Sequence, residues 1–371
     1  MSTAKIPFFD YPSIFTSDED KLIEIIKDVG RRGAFILQKD LVDFERNLAE
    51  YTGAKFALGV SNGTDALVMG LKAAGVKAGD EVIFSSHTFV ATAAAIQLIG
   101  AIPVPVECSA DHQIDPSSVE QAVTDKTTCI MPTQLNGRCC DMDKLQAIAS
   151  KHNLLIVEDA AQGLGARFNG RCAGTFGTAA GMSFYPAKVL GSLGDAGAVF
   201  TNEEEVYRKL RLLRDHGRCP DTGDVVSWGM NYRMDNLQAA ILNYKLQKYN
   251  KVVERRREIA GLYNEGLKDV SQLDLPPAPN SDDRYYDIYQ NYEIRADERD
   301  ELKQFLSEKN IGSILQWSGK AVHQFEKLGF EQTLPYTEEV LSKALLIPVN
   351  MTITNDEVQH VISTIKQFYN K

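Results

Sequence analysis

The chain is short of the features that mark secreted, membrane-bound and nucleic-acid-binding proteins. Its six cysteines show no paired spacing; Cys139 and Cys140 are adjacent and the rest are isolated. Neither a disulfide framework nor a zinc motif has support, so the thiols read as reduced. The six histidines are scattered too, and no metal is expected. No apolar run reaches membrane-spanning length, and the opening Met1-Ser2-Thr3-Ala4-Lys5-Ile6-Pro7 lacks the apolar core of a signal peptide. A formal charge of -10 and a pI of 5.2 argue against nucleic acid and anionic membrane as partners. These absences together point to the cytoplasm. What is present is a 371-residue chain that is 44% hydrophobic. That is enough for a large core and about two domains.

Helical periodicity runs through residues 18–52, with Leu22, Ile25, Ile26 and Val29 on one stripe and Leu41, Phe44, Leu48 and Tyr51 on another. From residue 56, apolar runs alternate with helical patterns. Strands are expected at 56–60, 81–85, 102–106, 128–131 and 154–158, and helices at 64–74, 90–99 and 143–152. Such alternation predicts an α/β domain with a mainly parallel sheet covered on both faces, and ligands at the carboxyl ends of its strands. After residue 200 come long helical segments at 203–214 and 236–267, the second rich in alternating charge. Pro276-Pro277-Ala278-Pro279-Asn280 then breaks the chain. A smaller α+β unit follows, with a strand at 289–294 and helices at 297–309 and 356–369. The expected division is a large domain over 1–250 and a small one over 251–371.

Three motifs carry chemistry. Asp159 closes the apolar run before Ala160-Ala161-Gln162, and Lys188 ends Ser183-Phe184-Tyr185-Pro186-Ala187-Lys188. A buried acid and a buried amine suit pyridoxal phosphate: the lysine bonds the cofactor aldehyde, and the carboxylate keeps the pyridine nitrogen protonated. Taken singly, a surface lysine after a proline turn and an acid at a strand end are the plainer readings. The third motif, Ser61-Asn62-Gly63-Thr64-Asp65, follows a strand and opens a helix. Helix N-termini favour anions and Gly63 permits close approach of a phosphate, although the same residues make an ordinary helix cap. The order cradle, acid, lysine within one α/β domain favours the cofactor reading.

With these in place the chain resembles the DegT/DnrJ/EryC1/StrS family of sugar aminotransferases, within the aspartate-aminotransferase-like fold (PLP fold type I). The likeness covers nearly the whole chain. It includes Gly79-Asp80-Glu81-Val82-Ile83, Thr88-Phe89-Val90-Ala91-Thr92, Gly194-Asp195-Ala196-Gly197-Ala198 and Asn231-Tyr232-Arg233-Met234-Asp235-Asn236. The resemblance implies that Lys188 bonds the cofactor and shuttles a proton, that Asp159 pairs with the ring nitrogen, and that Gln162 and Phe89 lie against the ring. Gly63, Thr64 and Ser183 would bind the phosphate, and Asn231 would reach it from the other subunit of a homodimer. Arg233 and His216 would line the same cleft or serve structural roles. L-glutamate is the implied donor and a sugar carbonyl the acceptor.

The pattern also departs from the family. Gln134 in Pro132-Thr133-Gln134-Leu135-Asn136-Gly137 stands where many relatives have histidine. Gln316-Trp317-Ser318-Gly319-Lys320-Ala321-Val322-His323 replaces a His-Tyr-Pro-like segment. The latter is similar to relatives that aminate a free acidic sugar, 8-oxo-3,8-dideoxy-manno-octulosonate, for a cell-surface glycan such as lipopolysaccharide. On that reading Arg138, Lys320 and His323 would meet the substrate carboxylate. The alternatives are a nucleotide-linked 3- or 4-keto-deoxysugar as acceptor, a non-catalytic cofactor-binding regulator, and an unrelated enzyme of the same fold type such as a cysteine desulfurase. For the desulfurase, Cys172 and Cys219 lack any sign of an activated thiol.

Overall fold

The computed structural model describes residues 5–370. The first segment forms α1 (Tyr11–Thr16), α2 (Glu19–Arg32) and α3 (Lys39–Thr52). Leu22, Val29, Leu41, Phe44 and Leu48 of the two stripes are buried, whereas Ile26 is exposed. The alternating region follows as β1 (Phe56–Val60), α4 (Gly63–Ala74), β2 (Glu81–Ser85), α5 (Ala91–Leu98), β3 (Ile102–Val106), α6 (Pro116–Ala122), β4 (Thr127–Met131), α7 (Met142–His152) and β5 (Leu155–Asp159). A short ribbon, β6 (Arg167–Phe168) and β7 (Arg171–Cys172), precedes β8 (Ala179–Ser183), β9 (Gly197–Thr201) and α8 (Glu204–Arg214).

Seven of these strands form one sheet in the order β1-β9-β8-β5-β4-β2-β3. Neighbours are parallel except around β9, which is antiparallel to both β1 and β8. The carboxyl ends of β1, β5 and β8 and the start of β9 therefore share one edge. The sheet is packed on both faces. Phe44, Phe184 and Phe200 belong to one cluster, and Leu67, Leu71, Phe84 and Val199 to the other.

β8 escapes a periodicity search because Ala179-Ala180-Gly181-Met182-Ser183 has small side chains, which let α4 lie directly on it. A Cβ at Gly181 would stand 2.5 Å from a Leu67 methyl. The helix expected over 236–267 is two, α9 (Asn236–Leu246) and α10 (Tyr249–Leu267). Neither proline nor glycine marks the break at Gln247 and Lys248. Tertiary contacts hold it: Lys248 Nζ and Tyr244 Oη both bind Asp18 Oδ1, at 2.6 and 3.0 Å. Beyond the break Tyr249 is buried, with its hydroxyl donating to Leu164 O at 2.7 Å.

The remaining elements are β10 (Leu273–Asp274), β11 (Tyr285–Tyr286), β12 (Tyr292–Ala296), α11 (Arg299–Glu308), α12 (Pro335–Lys343), β13 (Ala344–Ile347) and α13 (Asn355–Tyr369). β10, β12 and β13 make a three-stranded antiparallel sheet. Tyr263, Tyr292, Ile294, Leu302 and Val361 share a core cluster there. The core changes within α10, since Val253 packs with the large-sheet cluster and Ile259 with the small one. Ile6, from the other end of the chain, also joins the small cluster. The strand expected from residue 289 begins at Tyr292. Tyr289 takes a left-handed φ of 49°, and Gln290 and Asn291 face a cleft instead of a sheet neighbour.

One buried carboxylate ties the loops beneath that cleft. Glu158 accepts from Gln134 Nε2 and Gly174 N at 2.7 Å each, from Phe176 N at 2.6 Å and from Gly177 N at 3.0 Å. Gln134, which stands in place of a family histidine, also accepts from Cys140 N at 2.7 Å. Glu158→Ala strands three backbone donors and a carboxamide in the core. We expect a loss of more than about 3 kcal/mol of stability. Urea unfolding checks this, and Glu158→Gln, which keeps the shape, should lose less.

Candidate active site

At the shared strand edge lies a cleft of about 620 Å³, walled by strand ends, by the 290–291 and 314–317 segments, and by Phe8, Phe9 and Tyr11. Lys188 keeps part of its surface open to this cleft. Burial of its ammonium end nevertheless lowers its pKa to about 8, although Asp159 pulls the other way. Asp159, last in β5, is buried. Burial raises its pKa, opposed by the Thr92 hydroxyl, the Ala161 N–H and Lys188. Thr92 Oγ1 donates to Asp159 Oδ2 at 2.7 Å, and Ala161 N donates to Oδ1 at 3.1 Å. Behind Thr92 stand the hydroxyls of Thr88 and Thr133, at 2.8 Å from Thr92 and 3.0 Å from Thr88 respectively.

The cradle forms where β1 and β8 end. Asn62 caps α4 by accepting from Asp65 N at 2.9 Å. Gly63 and Thr64 open the helix, where backbone N–H groups lack intrahelical acceptors. A Cβ at Gly63 would stand 2.7 Å from Ser183 Cβ, so the backbone reaches Ser183 only as glycine. Gly63 lies against Ser183, and Gly63, Thr64 and Ser183 line the same cleft as Asp159 and Lys188. Phe89 and Trp317 flank it with ring centroids 5.3 Å apart.

The other expected residues lie elsewhere. Arg138 Nη1 pairs with Asp287 at 2.6 Å, its Nε pairs with Asp111 at 3.2 Å, and its guanidinium lies over the Tyr285 ring. His323 is buried between Ser86 Oγ and Glu338 Oε1, at 2.7 and 3.0 Å. Lys320 is exposed and, like these two, does not line the cleft. Asn231 is exposed in a backbone bridge to Asp215, Arg233 pairs with Asp215 at 3.1 Å, and His216 sits at a left-handed φ of 57°. None of the three lines the cleft of its own chain.

Several contributors carry no local signal. Gln290 accepts from Val189 N at 2.9 Å and donates to Ala187 O at 3.0 Å, bracing the backbone on both sides of Lys188. Asn136 N donates to Gln162 Oε1 at 2.7 Å, while Asn136 Oδ1 accepts from Asn291 at 2.9 Å and Gln316 at 3.0 Å. Thr92 alone was visible in part, since it stands one helical turn after Thr88 in a block the sequence singles out.

The residues present fit pyridoxal phosphate: an anion cradle that admits only glycine, a buried carboxylate, and a lysine of lowered pKa on one cleft. Residues 16–366 match the DegT/DnrJ/EryC1/StrS aminotransferase family. The chain belongs to this family. It is 36% identical over 369 residues to the dTDP-3-amino-3,6-dideoxy-alpha-D-galactopyranose transaminase of Aneurinibacillus thermoaerophilus, covering 98% of this chain and 99% of that one. It is 38% identical over 368 residues to the pleiotropic regulatory protein of Geobacillus stearothermophilus, covering 98% of each. The solved structure of DesV from S. venezuelae superposes with a TM-score of 0.95 at 34% identity, over 100% of both chains. The protein is a pyridoxal-phosphate-dependent sugar aminotransferase with the expected aminotransferase fold.

Lys188→Ala should abolish the visible band that borohydride fixes and lower turnover by at least about 10²-fold, with circular dichroism unchanged. Reloading of apoenzyme tests the amine directly. Only the neutral amine attacks an aldehyde, so the rate should rise with pH through a midpoint near 8. Asp159→Asn removes the charge that favours the ammonium and should move that midpoint lower.

Proposed function

We propose that the acceptor is a nucleotide-linked 3- or 4-keto-deoxysugar, that L-glutamate supplies the amine, and that the working form is a homodimer with shared sites. The observation that carries the acceptor is a ledge of aromatic rings at the cleft. Phe9 and Tyr11 lie 5.5 Å apart, Phe89 and Trp317 lie 5.3 Å apart, and all four line the cleft. Tyr11 and Tyr185 are exposed, and flat rings of this kind stack on nucleobases. The Aneurinibacillus relative, by its name, handles a dTDP-linked sugar. A free octulosonate finds less support. Lys188 is the one cation among the described residues of the cleft, and Arg138, Lys320 and His323 do not reach it. The sugar itself would meet carboxamides: Gln290, Asn291 and Gln316 line the cleft, and Gln316 Oε1 is buried without a hydrogen-bond partner.

The bound cofactor supplies an aldehyde to carry the amine and a ring that takes up the electron pair left when a C–H proton departs. The chain supplies the rest. Lys188 Nζ would take the proton from the donor Cα and deliver it to the cofactor carbon that carries the amine, and a pKa near 8 suits both transfers. Asp159, fixed by Thr92 and Ala161, holds the proton on the ring nitrogen. Gly63, Thr64 and Ser183 hold the phosphate, Gln162 and Phe89 the ring. Asn231 would complete the cradle of a second copy. The loop before it carries exposed apolar side chains, among them Val225, Val226 and Trp228, the last 96% exposed. Intact Lys188 and Asp159 favour catalysis over a purely regulatory role.

Turnover with L-glutamate should occur on dTDP-linked 3- or 4-keto-deoxysugars and be absent on 8-oxo-octulosonate; the opposite ranking overturns the acceptor. Shared sites predict complementation. Lys188→Ala and Asn231→Ala chains are each impaired alone, and after mixing and subunit exchange they should regain up to about a quarter of parental activity, the statistical yield of one intact site per hybrid.

A further inference from the structure

His87, His112 and Glu293 have no spacing relation in the sequence, yet the fold gathers them. His87 follows β2, His112 lies in the loop after β3, and Glu293 sits on β12 of the small sheet. His87 Nε2 is 3.5 Å and His112 Nδ1 3.1 Å from the same oxygen, Glu293 Oε1. One ligand atom from each residue lies within 4.8 Å of the others. His87 is 0% and Glu293 2% exposed. Neither nitrogen of His87 nor Glu293 Oε1 has a hydrogen-bond partner. Two of these orphaned atoms, His87 Nε2 and Glu293 Oε1, face each other in a protein interior and call for a shared partner.

Their geometry suits a cation. Bonds of about 2.0–2.1 Å to a tetrahedral zinc ion place neighbouring ligand atoms roughly 3.4 Å apart. Both measured separations lie close to that edge. A small pocket of about 50 Å³, lined by His112, Asn136, Arg138 and Glu293 though not by His87, adjoins the cluster and has room for a water.

We propose that His87, His112 and Glu293 bind a divalent transition ion of the zinc type, which clamps β12 to the loops after β2 and β3. Two imidazoles and one carboxylate favour such a borderline ion over magnesium or calcium. The ion would not touch the reacting atoms. Its effect would pass through Asn136, whose Nδ2 donates to Glu293 Oε2 and whose backbone N–H holds Gln162 Oε1. The site is independent of which sugar is aminated.

The test uses the cofactor-loaded enzyme, incubated with Zn²⁺ or Co²⁺ and desalted. Wild type should retain about one ion per chain by plasma mass spectrometry, and Co²⁺ should give the visible bands of a low-coordinate nitrogen and oxygen site. Glu293→Gln and His112→Gln should lose the ion and those bands while keeping the borohydride-fixable cofactor. Thermal melting of wild type should rise with Zn²⁺, and that of the variants should not. Wild type that takes up no ion, or variants that bind as much, would overturn the proposal and leave a buried histidine–carboxylate cluster. If the variants do not fold, the wild-type Co²⁺ spectrum alone decides.

Discussion

Two adjacent carboxylates end β5, and the pleat of the strand turns them to opposite faces. Glu158 points into the core and gathers Gln134 with the backbone of the 174–177 loop. Asp159 points into the cleft, under the hydroxyl of Thr92. Because the two are joined by one peptide unit, the network that fixes the first also sets the position of the second. Asp159 N further donates to Pro132 O at 2.9 Å, and its carbonyl accepts from Gln134 N at 2.9 Å, which carries the β4–β5 pairing to the floor of the site. The charge that would serve the cofactor ring is thus mounted on a strand end fixed by side-chain and backbone hydrogen bonds.

What could be read beforehand follows from where chemistry sits in a parallel sheet. Lys188, Asp159 and Gly63 are each next to a strand end, so motif and location reinforce one another along the chain. The wall facing them was not legible, because Gln290, Asn291 and Gln316, tied together through Asn136, meet only after three distant segments fold together. Arg138, Lys320 and His323 show the converse. Their charge suggested a carboxylate ligand, but Arg138 and His323 are engaged by Asp111, Asp287 and Glu338, partners that sequence distance conceals. The break between α9 and α10 was hidden for a similar reason, since Asp18 imposes it from the far end of the chain.

The cleft joins two kinds of surface. Its floor is a fixed polar constellation for an anion, a ring nitrogen and an amine. Its rim is a set of flat aromatic faces with amide groups between them. Stacking tolerates a range of planar partners, whereas amides discriminate by the direction in which hydroxyl groups point. On the proposed reading, selection among sugars would fall to the amides, and retention of the nucleotide carrier to the rings.

The insertion of β9 has a consequence for biosynthesis. β1 forms one edge of the large sheet, and its neighbour there is β9, whose pairing runs from Phe56 with Thr201 to Val60 with Gly197. As the chain leaves the ribosome, Leu58 and Val60 wait without that neighbour until more than half of the polypeptide has been made. A non-local closure of this kind is slow and leaves an apolar edge open to aggregation in the interim. On the proposed reading, vitamin capture comes after it, because the candidate cradle where β1 and β8 end forms only once β9 has been inserted between them.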